Sequence, residues 1–133
     1  MQQNNVIDRI ELVLIKDENT QKIFTLSQFD YSFSSTPDFD DSSVKKTEVY
    51  LSGSINSNVD EFFLQWVSNQ VGEWSGSIKV FFKNQNTPEL TLTFQNSSIN
   101  NYNQSFMENN SYSQGAYFAA ILKGVVLDNV QMN

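Results

Sequence analysis

A chain of 133 residues with 39% hydrophobic side chains can bury about two-thirds of its unfolded surface, so one domain with a sizeable core is expected without staples. It has no cysteine and no histidine, which excludes disulfides, thiolate metal sites, thiol nucleophiles and the usual general base near neutral pH. Fifteen acidic against eight basic residues give a formal charge of −7, and the lysines are scattered, so nucleic acid, which demands a basic track, is not an expected partner.

Residues 1–5 lack the basic and apolar regions of a secretory signal. The longest apolar stretch, 117–127, is broken by Lys123 and Gly124 and is too short to span a bilayer. A chain made in the cytoplasm, with no membrane insertion, is the expectation. Over 6–16, Ile10, Leu12 and Leu14 alternate with Glu11, Val13 and Ile15, the period of a strand. Asn19 and Thr20 supply a turn. A second strand region over 22–35 carries Phe24, Leu26, Phe29, Tyr31 and Phe33; its parity changes between Leu26 and Phe29, which predicts a bulge or corner. Thr36, Pro37, Asp38, Phe39, Asp40, Asp41, Ser42 and Ser43 read as a protruding loop, because Pro, Asp and Ser favour irregular backbone. Alternation then resumes over 47–55.

One helix is predicted over 58–70. Val59, Phe62, Phe63, Trp66 and Val67 share one face at three- and four-residue spacing, with Asp60, Gln65, Ser68 and Asn69 opposite. Asn58 is the expected cap, Glu61 its capping-box partner and Gly72 the left-handed stop. The aromatic stripe Phe62, Phe63 and Trp66 reads as core packing, since so short a helix is marginal alone in water. Ser75, Gly76 and Ser77 read as a turn before a strand over 78–83. Residues 84–89 form a hairpin connection to a strand over 90–95. The Asn- and Ser-rich stretch after 96 is predicted as strand to about Phe106, with a turn at Glu108, Asn109 and Asn110. Final strands are expected over 112–122 and 125–130.

The strands at Val80 to Phe82, Tyr117 to Leu122 and Val125 to Leu127 are apolar on both faces. An exposed patch of that kind marks an interface, so a homo-oligomer with closed cyclic symmetry is one reading. The other places all these side chains inside one barrel.

Candidate chemistry is sparse. An EF-hand counted from Asp38 would need Gly at Ser43 and Glu at Val49, so no metal site follows. Asp60 and Glu61 fit capping rather than catalysis. No Gly-x-Ser-x-Gly elbow occurs. Gly72, Glu73 and Trp74 resemble the Gly-x-Trp of lipocalin-like barrels, but they follow the helix instead of lying near the N-terminus. The Asn-x-Ser triplets at Asn96, Asn103 and Asn109 are expected by chance in so Asn-rich a chain. No catalytic residue and no cofactor are expected.

Taken in order, the segments resemble the Hcp family, also called TssD, the tube protein of type VI secretion systems, especially its Bacteroidetes branch. Asp30 to Ser34 is similar to the family's Tyr-Ser-Phe-Ser ending, and a polar loop then leads to Leu51, Ser52 and Gly53. Phe63, Leu64, Gln65 and Trp66 resemble its Leu-Leu-x-Trp helix. Gly76 to Lys83 resembles its Gly-x-Ile-x-Phe-x-Lys strand, Glu89 to Ser97 its Leu-x-Phe-x-Asn-Ala segment, and Val126 to Asn129 its close. Ala119 to Leu122 departs from the family's polar, Thr-rich pattern.

The resemblance implies a mainly β fold, a small antiparallel β-barrel or sandwich with one helix. It also implies hexameric rings stacking into a tube that is propelled by a contractile sheath and ejected from the cell. Further partners would be the baseplate and spike, and effectors carried in the lumen. The loop holding Pro37, Asp38, Phe39, Asp40 and Asp41 stands where the family contacts a neighbouring subunit or ring. Helix packing falls to Phe62, Phe63, Trp66 and Val67. A tail-tube protein of a phage-like or extracellular injection particle would share this architecture, and a monomeric barrel binding a small apolar ligand is a third reading.

Overall fold

The computed structural model describes residues 6–37, 45–55, 59–70, 72–106 and 115–133. In chain order the elements are β1 (Ile7–Asp17), β2 (Thr20–Leu26), β3 (Gln28–Pro37), β4 (Lys45–Ile55), α1 (Glu61–Val67), β5 (Ser75–Phe82), β6 (Leu90–Phe94), β7 (Asn96–Ser105), β8 (Gly115–Lys123), β9 (Val126–Leu127) and β10 (Val130–Gln131). Antiparallel pairing builds a six-stranded sheet, β10-β9-β6-β5-β1-β2, and a four-stranded sheet, β3-β4-β8-β7. Among the described residues the fold is mainly β with one short helix.

The chain passes from sheet to sheet at tight corners, the device by which two sheets become a barrel-like sandwich. At Ser27 the strand of β2 runs on into β3, and the Ser27 N–H donates to the Ser54 carbonyl at 2.8 Å. This is the corner that the parity change between Leu26 and Phe29 predicts. At Gln95 β6 runs on into β7, with the Gln95 N–H donating to Lys123 at 2.9 Å. Gly124 turns the chain from β8 toward β9 at φ 66°, and a Cβ there would meet the Gln95 side chain at 2.8 Å. Only glycine suits both the left-handed backbone and that approach.

Alternation puts one apolar set inside. Leu12, Leu14, Ile78 and Leu92 from the larger sheet face Val49, Leu51, Phe118 and Leu122 from the smaller, and all are fully buried. Each contributes about 1.5–3 kcal/mol by leaving water. The helix adds Phe63 and Trp66 to the same core.

Several local expectations are corrected. The helix runs from Glu61 to Val67, shorter than 58–70, and its N-cap is Asp60, whose carboxylate accepts the Phe63 N–H at 2.9 Å. Asn58 lies outside the described residues. The carboxylate of Asp60 wins the cap because it also pairs with Lys22 on β2, a tie that local pattern cannot show. The left-handed residue after the helix is Asn69, at φ 58°, and not Gly72. Ser75, Gly76 and Ser77 are not a turn but the start of β5. Gly76 is needed there because a Cβ would lie 2.0 Å from the Val13 carbonyl on β1.

Thr36 and Pro37, read as loop, extend β3 and pair with Lys46 and Lys45; a proline is tolerated at the end of an edge strand. The apolar run over 125–130 is two short strands, β9 and β10, around Asp128 and Asn129, both at positive φ. Phe81, read as part of a two-faced strand, is buried within the chain, its ring beneath the Arg9 guanidinium at 3.9 Å. The β5–β6 hairpin and the strand up to Ser105 agree with expectation. The expected turn at Glu108, Asn109 and Asn110 lies outside the described residues.

Candidate functional site: the edges of the four-stranded sheet

Helix α1 lies between β2, the edge of the larger sheet, and β7, an edge of the smaller. On the β2 side, Phe24 meets Phe63 edge-on at 5.2 Å and Phe62 at 6.3 Å. On the other side, Phe63 and Trp66 meet Phe118 of β8 at 5.6 and 5.2 Å. The sequence folds this way because the aromatic stripe offers flat, large faces to both sheets at once. Phe63 and Trp66 are fully buried, while Phe62 and Val67 are half-buried against the core.

A buried polar chain ties the helix to β7. Trp66 Nε1 donates to Ser97 Oγ at 3.0 Å, and Ser97 Oγ donates to the Trp74 carbonyl at 2.6 Å. Trp74 sits at φ 50° and donates its own Nε1 to the Gln70 carbonyl at 2.8 Å. Beyond Ser97, Asn69 reaches Ile99 twice: its Nδ2 donates to the Ile99 carbonyl at 3.3 Å, and its Oδ1 accepts the Ile99 N–H at 3.1 Å. Sequence reading missed Ser97 and Asn69 because their partners lie some thirty residues away.

The four-stranded sheet ends in two long strands, β3 and β7, each of 10 residues. No further strand pairs with either outer edge among the described residues. Along β3, Phe29, Tyr31 and Phe33 form a ladder with ring centroids 5.7 and 5.4 Å apart. They point to the core side, opposite Gly53, Leu51 and Val49, yet Phe33 remains 37% exposed. The other face of the sheet mixes polar residues, Asp30, Ser32 and Ser34 on β3, Ser52 and Ser54 on β4, and Ser98 and Asn103 on β7, with Tyr50 on β4 and the half-buried Tyr117, Ala119 and Ile121 on β8. The strand at Tyr117 to Leu122 is thus apolar on both faces. Ser52 donates to Asp30 at 2.6 Å. A hydroxyl bond to Glu48, with burial, raises the pKa of Tyr50 on this face.

Pro37 closes β3; Asp38, Phe39, Asp40 and Asp41 lie outside the described residues. Among the described residues no group of His, Cys, Asp and Glu side chains could hold a metal ion. The grooves described are open and shallow, one of them lined by Lys16, Asp17, Glu18, Asn19, Thr20, Gly72 and Glu73. No described helix is long and apolar enough to cross a membrane. What the geometry offers chemically is backbone hydrogen bonding at two sheet edges.

The two antiparallel sheets with one helix between them, among the described residues, make an Hcp-like fold. The solved structure of Hcp1 from Flavobacterium johnsoniae superimposes with a TM-score of 0.70 at 16% identity, covering 94% of this chain and 98% of that one. Hcp1 from E. coli gives 0.65 at 10% identity, over 90% and 89%. A chain of the anti-feeding prophage baseplate gives 0.58 at 11% identity, over 98% and 99%. No protein-family model and no curated protein matches the sequence.

Proposed function

We propose that this chain is a structural, non-enzymatic subunit of the inner tube of a type VI secretion system. It forms hexameric rings that stack, with effectors carried inside. The observation that carries this reading is the four-stranded sheet itself. Its strands alternate strictly in direction from β3 to β7, and an even count means that β3 of one copy meets β7 of the next in antiparallel sense. Long unpaired edges are templates for further strands, and joining copies head to tail closes a ring when the rotation closes. Likeness to Hcp1 structures supports the same reading.

The other partners proposed are the contractile sheath, the baseplate and spike, and the effectors, with assembly in the cytoplasm and release when the tube is ejected. Residues Pro37, Asp38, Phe39, Asp40 and Asp41 form the proposed contact to a neighbouring subunit or ring. A second reading, a tube component of an extracellular contractile injection particle, is favoured by one specific observation. A chain solved as part of the sheath/tube terminator of such a particle shares the fold at a TM-score of 0.56 and 11% identity, over 91% of this chain and 94% of that one. The small-ligand barrel loses ground because Phe63, Trp66 and Phe118 fill the interior.

Charges on the edge test the reading. Asn103→Lys with Ser105→Lys puts two cations on β7, a recognised way of blocking strand addition. Sedimentation velocity is expected to show the wild type as a ring and the double variant as a monomer that keeps the wild-type far-ultraviolet spectrum. A double variant that still sediments as a ring contradicts assembly through β7.

A further inference from the structure

The β7 edge is already occupied at Ile99 by a side chain of the same molecule. The carboxamide of Asn69 engages both the N–H and the carbonyl of Ile99, at 3.1 and 3.3 Å, as the backbone of a neighbouring strand would. The left-handed backbone of Asn69, at φ 58°, turns its side chain onto the strand, and asparagine is among the few residues that adopt this conformation readily. Asn96 of the same strand donates its Nδ2 to the Glu73 carbonyl at 3.0 Å, and Ser97 is held by Trp66. Past Ile99 the ladder with β8 shifts by a bulge before Asn101. No such clamp reaches 101–105 among the described contacts.

Edge strands are commonly protected by lysine, other charges or proline. None of these occurs in Asn96–Ser105. The protection that β7 has is therefore positional: clamped at Ile99, with no such contact described over 101–105.

We propose that Asn69 sets the register at which subunits join, by confining the incoming β3 of a second copy to 101–105 of β7. A one-residue slip in a strand pair turns every side chain to the opposite face, so without a stop this uncharged edge would accept several registers. The stop makes one. Two adjacent copies thus share a short ladder, and the remainder of β3, toward Pro37, is left for other contacts. This inference rests on the ring reading above.

The chain lacks cysteine, so introduced pairs report unambiguously. Asp30→Cys, Ser32→Cys or Ser34→Cys on β3 is combined with either Asn103→Cys or Ser98→Cys on β7, all on the face of the sheet away from the core, and the assembled protein is oxidised. Inter-subunit links are expected through Asn103→Cys, with those through Ser98→Cys about tenfold fewer, the ratio that two net hydrogen bonds are worth. Adding Asn69→Gly keeps the left-handed backbone but removes the clamp, and is expected to bring the Ser98→Cys yield up to that of Asn103→Cys. Equal linking at both sites with Asn69 present, in intact rings, overturns the register role alone. A monomer that links at neither site overturns the ring reading as well.

Discussion

At the scale of single residues, the most exposed feature of the account is Asp60. Partial burial pushes its carboxyl up, but the Lys22 ammonium and the Phe63 N–H outweigh that and leave the pKa below the usual carboxylate value. The fold therefore prefers the charged form. That contribution is complete above the unfolded value of ~3.9 and is lost as the pH falls through the lowered folded value. Asp17, lowered by the Asn19 N–H and the Thr20 hydroxyl, adds to the same acid limb. Thermal melts from pH 7 to pH 3 are expected to fall more steeply for wild type than for Asp60→Asn, and Asp60→Ala is expected to cost ~0.5–2 kcal/mol at pH 7, as a lost cap does. Parallel pH profiles would contradict the assignment. Ser97 is the second such residue. Ser97→Ala strands the Trp66 Nε1–H and a Trp74 carbonyl lone pair in the core, and each unsatisfied buried group costs about 1–3 kcal/mol. Urea unfolding checks it; a loss under about 0.5 kcal/mol, the size of a surface change, would mean that the chain of bonds is dispensable.

At the scale of elements, α1 owes its stability to what it touches. Seven residues are too few for an isolated helix, and Phe63 supplies the contact with Phe24 on one sheet and Phe118 on the other. Phe63→Ala is expected to cost about 3–5 kcal/mol and to detach the helix from both sheets, read as a chemical-denaturation midpoint shift with loss of near-ultraviolet signal from Trp66. A surviving Trp66 signal would contradict that coupling. The aromatic stripe was legible because core-facing residues repeat at helical spacing wherever the helix begins. The cap was not: Asn58 and Glu61 satisfy the local pattern, while the deciding partner of Asp60, Lys22, is thirty-eight residues away. Strand alternation in β1, β4, β5 and β6 was legible for the same reason, and the break between Leu26 and Phe29 announced the corner at Ser27. Ser75, Gly76 and Ser77 looked like a turn from composition alone; only the closeness of Val13 explains a glycine within a strand. Asp128 and Asn129 did carry a readable sign, since both residue types tolerate the left-handed region, but it was masked by the apolar residues around them. Of the candidate site, Ser97 and Asn69 were invisible because what they do depends on residues brought near only by the fold.

At the scale of the whole molecule, the sheet order leaves the two ends of the chain's sandwich unlike one another. The larger sheet ends in the seven-residue β2 and the two-residue β10, whereas the smaller ends in two strands of ten residues each. The loop beyond Pro37 belongs to this scale too, because its proposed role is between subunits. Asp38→Ala, Asp40→Ala and Asp41→Ala together are expected to change ring stacking, seen as altered filament length, while leaving the melting temperature within about 2–4 °C of wild type, the shift of roughly 1 kcal/mol. A large thermal loss would place the loop in the fold instead. The central claim, that this chain is a ring-forming tube subunit, is tested most directly by negative-stain microscopy of the purified wild-type protein with its native mass. Six-fold rings, some stacked, with the mass of six chains are the expected result; a persistent monomer at high concentration would contradict the claim.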